Sequence, residues 1–181
     1  PFTGKSKGKH TEKSGQMSLF EVVEEQQFLG MAVSFGEEDT YYLKASEALS
    51  SGEIISLLSE CEADSFVTLD LKPQVSLLGL SDCKENGQLR QGCIFDGVIA
   101  AYLLNPLKNE YPYEDIAKDY ANLYLSSRTD LLGKLGLEDA EKEKPEEFLK
   151  YVCYQAYTAW RTQEKLSAEL EKEGMTKLYE E

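Results

Sequence analysis

The stretch Cys93-Ile-Phe-Asp-Gly-Val-Ile-Ala-Ala-Tyr-Leu-Leu-Asn-Pro106 constrains the fold of this chain more than any other. A short apolar run meets Asp96, whose carboxylate can accept from the free N–H groups of a helix's first turn. Val98, Ile99, Ala101, Tyr102 and Leu103 then spread over most of a helix surface, the pattern of a helix packed on a sheet rather than one lying in solvent. Asn105-Pro106 ends it, because the residue before proline is driven out of the α region and proline donates no hydrogen bond. The spacing predicts a strand end, a cap at Asp96 and a core helix.

Elements on either side fit around that helix. Phe28 to Phe35 is apolar and rich in β-branched and aromatic residues, Gly36-Glu-Glu-Asp39 has turn composition, and Thr40 to Leu43 returns, which predicts a hairpin. Ser46 is a candidate cap for a helix whose stripe is Ile54, Ile55, Leu57 and Leu58. Ser65 to Asp70 is a short buried strand, and Pro73 opens a helix through Leu77 and Leu78 that Gly79 closes. Leu80 to Gly92 is loop-like, and Gln91 to Phe95 forms the next strand. Beyond Pro106, Tyr113 to Tyr120 is a short helix, Ser126 to Asp130 a break, Leu131-Leu132-Gly133 a brief resumption, and Glu138 to Lys144 a solvated charge run. Pro145 starts the longest helix, with Phe148, Val152, Ala156, Ala159, Leu166 and Leu170 three or four residues apart up to Gly174. The expected fold class is α/β, a mixed β-sheet of three to five strands flanked by helices.

A chain of 181 residues can bury one real core. Its net charge of −14 repels phosphate backbones, which disfavours tight nucleic-acid binding by this chain alone. Residues 1–15 concentrate Lys5, Lys7, Lys9 and Lys13 among polar residues and glycines, so residues 1–27 are expected to form a flexible basic linker or loop. Cys61, Cys83, Cys93 and Cys153 are widely spaced with only His10 to join them, which leaves no zinc-ligand pattern and no disulfide framework. A reduced, cytoplasmic setting and a monomer are expected. No apolar run approaches the ~20 residues that span a bilayer, and the N-terminus has no apolar signal region.

Phe66 to Lys72, Ile94 to Pro106, Asp115-Ile-Ala-Lys118 and Tyr151 on a late helix, taken in that order, resemble the 3′–5′ exonuclease domain of bacterial DNA polymerase I, an RNase H-like (DnaQ-like exonuclease) fold. The likeness runs from about Phe28 to the C-terminus. It implies a domain over residues 28–174, with Lys177 to Glu181, inside 175–181, resembling the start of the connection to a polymerase domain. Read this way, and because it starts on Pro1, the chain is expected to be a piece of a longer polymerase that synthesises DNA with magnesium.

Active members of that family hold two divalent metals with carboxylates, so every ligand must be an anionic oxygen donor. The resemblance places these on an Asp-x-Glu in the first strand, an Asp after an Asn-Leu-Lys-like segment, and an Asp four residues after a Tyr. Here the second segment is Asp70-Leu-Lys-Pro-Gln74 and the third Tyr151-Val-Cys-Tyr-Gln155, with glutamine at both ligand positions. Residues 20–25 offer no Asp-x-Glu, so the first motif is lost or lies upstream of Pro1. Gln74, Tyr151 and Gln155 therefore mark a degenerate site, expected to hold no metal or other cofactor, in a spacer between catalytic domains that meets DNA only through its parent.

Asp70 and Asp96, the surviving carboxylates, are read as a strand-end contact and a helix cap, and Trp160, Tyr151, Tyr154 and Tyr157 as packing residues. The alternative, a still active nuclease, would need shifted carboxylates such as Asp64 or Asp70. A second alternative is an interaction module: Gln16-Met-Ser-Leu-Phe20 resembles the pentapeptide by which bacterial proteins dock on the sliding clamp, with Leu19 and Phe20 entering an apolar pocket and Gln16 bonding at its rim.

Overall fold

The computed structural model describes residues 2–5, 26–60, 66–75 and 94–180. The hairpin forms as its pattern predicts: β2 (Gln26–Ser34) pairs antiparallel with β3 (Thr40–Lys44), from Gly30 opposite Lys44 to Ser34 opposite Thr40. The turn closes through the Phe35 N–H, which donates to the Asp39 carbonyl at 2.9 Å. Gly30 is required inside β2, because a Cβ there would stand 2.4 Å from the Leu43 carbonyl oxygen and 2.7 Å from the Tyr42 ring. Tyr42 uses the space glycine leaves to pack edge-on against Phe148, 5.5 Å between centroids.

β1 (Phe2–Lys5) pairs antiparallel with the other edge of β2, giving the order β1-β2-β3. A loop was expected there on composition, but β2 offers these four residues a ladder, and the Phe2 ring sits 6.3 Å from that of Tyr151. The second sheet is the parallel pair β4 (Phe66–Thr68) and β5 (Ile94–Asp96), with Phe66 opposite Ile94 and Thr68 opposite Asp96. Parallel strands need a crossover connection, and α/β architecture follows.

The helices are α1 (Ser51–Glu60), α2 (Gly97–Leu104), α3 (Tyr113–Ala121), α4 (Arg128–Leu132), α5 (Leu137–Glu143), α6 (Pro145–Lys172) and α7 (Thr176–Glu180). The cap of α1 is Ser50 rather than Ser46. Ser50 N–H donates to Glu53 Oε2 at 2.8 Å and Glu53 N–H donates to Ser50 Oγ at 3.3 Å, a reciprocal capping box that a lone serine cannot match. Ser46 Oγ instead accepts from Leu49 N–H in the preceding turn, at 3.1 Å. Pro73 starts only a single 3-10 turn, Lys72–Gln74, and the expected helix through Leu77 and Leu78 falls outside the described residues. The expected break at Ser126–Asp130 is a helix start: Ser127 and Asp130 form a second capping box for α4.

The charge run from Glu138 is not wholly solvated. It folds as α5, whose Ala140 is fully buried and whose Glu141 takes a hydrogen bond from the Tyr42 hydroxyl and an ion pair from Lys44. One core gathers Leu69, Ala100, Ala101, Tyr113, Ile116, Ala159, Leu166 and Leu170 around α2, α3 and α6. A second joins Leu131, Leu132, Ala140, Phe148 and Val152. Thr158 and Thr162 of α6 are fully buried too, and the Thr162 hydroxyl donates to the Thr158 carbonyl at 2.7 Å. Among the described residues no helix is long and apolar enough to cross a membrane.

Candidate functional site

Asp96 caps α2 and does more. Its Oδ1 accepts from Val98 N–H at 2.9 Å and Ile99 N–H at 3.2 Å, while Oδ2 reaches 25 residues back to accept from Leu71 N–H at 2.8 Å. The side chain is 4% exposed. Burial pushes its carboxyl pKa up, against the three backbone hydrogen bonds that favour the anion. Asp96 therefore ties the end of β4 to the start of α2 as a buried cap.

Leu71 caps the 3-10 turn that carries Gln74, the first of the two glutamines that the resemblance singles out. The Gln74 amide turns inward, and Nε2 donates to Thr68 Oγ1 at 2.9 Å and to the Asp70 carbonyl at 2.6 Å. The side chain thus presents its N–H groups to the end of β4. Asp70 itself is exposed, consistent with a strand-end role.

Tyr151 and Gln155 lie one turn apart on α6, which packs along β4. Burial raises the Tyr151 hydroxyl pKa, and the Arg128 guanidinium and the Gln155 amide partly offset the rise. Gln155 Nε2 is buried beside that hydroxyl. Tyr151 also packs against Tyr113, with ring centroids 5.8 Å apart. Tyr154 joins the same aromatic group, and Tyr157 meets Trp160 at 5.9 Å, so these rings pack with one another.

A divalent metal does not fit this donor set. Gln74 and Gln155 are neutral, the first has its amide nitrogen committed as a donor, and β1 reads Phe-Thr-Gly-Lys with no carboxylate. Among the described residues no group of three or more His, Cys, Asp or Glu side chains could hold a metal ion. Gln16, Leu19 and Phe20, together with His10, Asp64, Cys61, Cys83 and Cys93, lie outside the described residues. Cys153 is a half-buried free thiol whose pKa burial raises.

Sequence reasoning missed Tyr179. Its ring packs on Phe95 at 5.1 Å, and its hydroxyl accepts from Asp96 N–H at 2.6 Å and donates to the Asp96 carbonyl at 3.3 Å. Nothing local in Thr176–Glu180 announces a contact 83 residues away. Arg128 and Glu114 beside Tyr151 were equally invisible, each looking like one more surface charge.

A hairpin followed by a parallel pair, helices around both, and polar positions at the end of β4 and on α6 define a ribonuclease H-like domain of the exonuclease kind. A family model for the ribonuclease H-like domain of DNA polymerase I matches residues 20–161, more than half of the chain, and the chain belongs to that family. It is a 3′–5′ exonuclease-like domain of the polymerase I type. No curated protein matches the sequence.

Proposed function

We propose that this domain is a silent member of its family, a structural support within a DNA polymerase I rather than a nuclease. The observation that carries this reading is Gln74, whose amide nitrogen donates to Thr68 and Asp70 where a metal ligand would present an anionic oxygen. Gln155 adds a second neutral amide at the other ligand position. Two-metal phosphodiester cleavage needs carboxylates to hold both ions, and an amide offers one oxygen dipole with no charge. The surface charge, net −14, supports a role in which DNA is met by the parent polymerase and not by this domain. Support comes also from a framework that closes on itself: Asp96 binds the Gln74 turn to α2, and Tyr179 binds α7 to β5. Calorimetric titration of the chain with manganese is expected to give a flat trace. A saturable site of micromolar affinity would contradict the reading and favour a nuclease with shifted carboxylates.

We further propose that Gln16-Met-Ser-Leu-Phe20 is a docking peptide for the bacterial sliding clamp, on the strength of its sequence. Leu19→Ala with Phe20→Ala is expected to abolish clamp binding by the chain. Binding that the double variant keeps in full would overturn the assignment.

A further inference from the structure

Among the described residues β5 carries a strand on one edge only, since its sheet has the order β4-β5. An open sheet edge leaves backbone N–H and C=O groups to be satisfied by other means, and folded proteins cover such edges. Here the cover is a side chain. The Tyr179 hydroxyl accepts from the Asp96 N–H at 2.6 Å and donates to the Asp96 carbonyl at 3.3 Å, so one phenol meets both backbone groups of a single β5 residue. Its ring lies on Phe95, 5.1 Å between centroids.

Tyr179 reaches this place because the chain reverses after α6. With Gly174 at φ 70°, the Gly174 N–H donates to the Glu171 carbonyl at 3.0 Å and the Met175 N–H to the Leu170 carbonyl at 2.8 Å. These are the two bonds of a Schellman turn, and Leu170 and Met175, in the same core cluster, supply its apolar partners. The base of the reversal is thereby fixed in the core. Beyond it α7 is held differently: it is five residues long, none of them is buried, and Leu178 is exposed. A helix that short does not stand by itself in water. Its anchor on β5 is Tyr179.

We propose that α7 is a hinged strap, which swings off β5 as a unit about the Schellman turn and uncovers Phe95 and the Asp96 backbone while the rest of the domain stays folded, with the Tyr179 hydroxyl as its catch. Segments with few buried contacts open locally, at a free energy below that of global unfolding. By contrast α6 is seated by Phe148, Val152, Leu166 and Leu170, and leaves only when both cores are lost. Closed, the strap hides the edge of β5; open, it presents it. The strap stands apart from the reading of Gln74 and Gln155, and neither depends on the other.

Native-state amide exchange of the isotope-labelled 181-residue chain, followed by NMR over a series of low urea concentrations, tests the strap. After correction for intrinsic rates, the Asp96 and Tyr179 amides are expected to share one opening free energy with little urea dependence. They should exchange at least about tenfold faster than the amides of Val152 and Leu166, which wait for global unfolding. Tyr179→Phe keeps the ring and removes the catch, so the amide of residue 179 should exchange about three- to tenfold faster in the variant. Asp96 exchanging with Val152 and Leu166, at their free energy and urea slope, would show that α7 leaves only when the domain unfolds, and would overturn the proposal. So would unequal opening free energies at Asp96 and Tyr179, or a residue 179 amide that the variant leaves unchanged. Should the variant not fold, the wild-type urea series decides alone.

Discussion

Leu71 and Asp96 are joined by one hydrogen bond, backbone N–H to carboxylate Oδ2 at 2.8 Å, across 25 residues of sequence. Through it the cap of α2 and the turn that presents Gln74 become a single unit. Removing the carboxylate leaves two N–H groups without their acceptor, of Leu71 and Ile99, while Val98 N–H keeps the Leu69 carbonyl at 2.8 Å. Asp96→Ala should therefore destabilise the domain by about 2–4 kcal/mol, the loss of a cap plus an unsatisfied buried donor, read from the midpoint of urea unfolding at unchanged slope.

Acid titration isolates the same side chain. Burial raises the folded-state pKa of Asp96 above the ordinary 3.8, so its contribution favours folding fully below 3.8 and is lost as pH rises through the raised value. Glu53 and Asp130, exposed in their capping boxes, have lowered pKa values and act in the opposite sense, losing their contribution as pH falls. Asp96→Asn cannot titrate. The stability of the wild type relative to this variant should accordingly fall as pH rises past 3.8, and a difference that stays level across the acid range would refute the assignment.

Tyr179 gives an alkaline counterpart. Burial pushes its hydroxyl up to about 12 from 10.0, so its contribution is complete below pH 10.0 and lost as pH rises through about 12. Tyr179→Phe keeps the ring on Phe95 and removes the hydrogen bonds to Asp96. The variant should lose about 0.5–1.5 kcal/mol at neutral pH and show a weaker fall in stability between pH 10.0 and about 12.

Gly30 and Gly36 make a matched pair. A Cβ at Gly30 would collide with the Leu43 carbonyl oxygen at 2.4 Å, whereas at Gly36 the nearest atom is 3.8 Å away. Gly30→Ala should destabilise by about 1–3 kcal/mol through forced shifts of β3 and Tyr42. Gly36→Ala should stay within about 0.5 kcal/mol, and thermal unfolding of the two variants distinguishes them.

Local chemistry accounts for what could be read from sequence. The Asp96 cap, the proline stop after Asn105, the hairpin around Gly36 and the glycine at the end of α6 each depend on a few adjacent residues, and each stands where the pattern put it. What failed depended on competition or distance. Ser46 lost the cap of α1 because Ser50 has Glu53 three residues on; residues 2–5 became a strand because β2 had an open edge. Glu141 looked like surface charge until Tyr42 and Lys44 arrived from another element. At the candidate site, resemblance singled out Gln74, Tyr151 and Gln155, while the groups they meet, Thr68, Arg128 and Glu114, come from tertiary packing.

The central claim is that Gln74 and Gln155 leave this domain without nuclease chemistry. Incubating the chain with single-stranded DNA and magnesium or manganese tests it most directly. The account predicts no release of 5′-mononucleotides above a metal-free control; metal-dependent release that EDTA abolishes would contradict it.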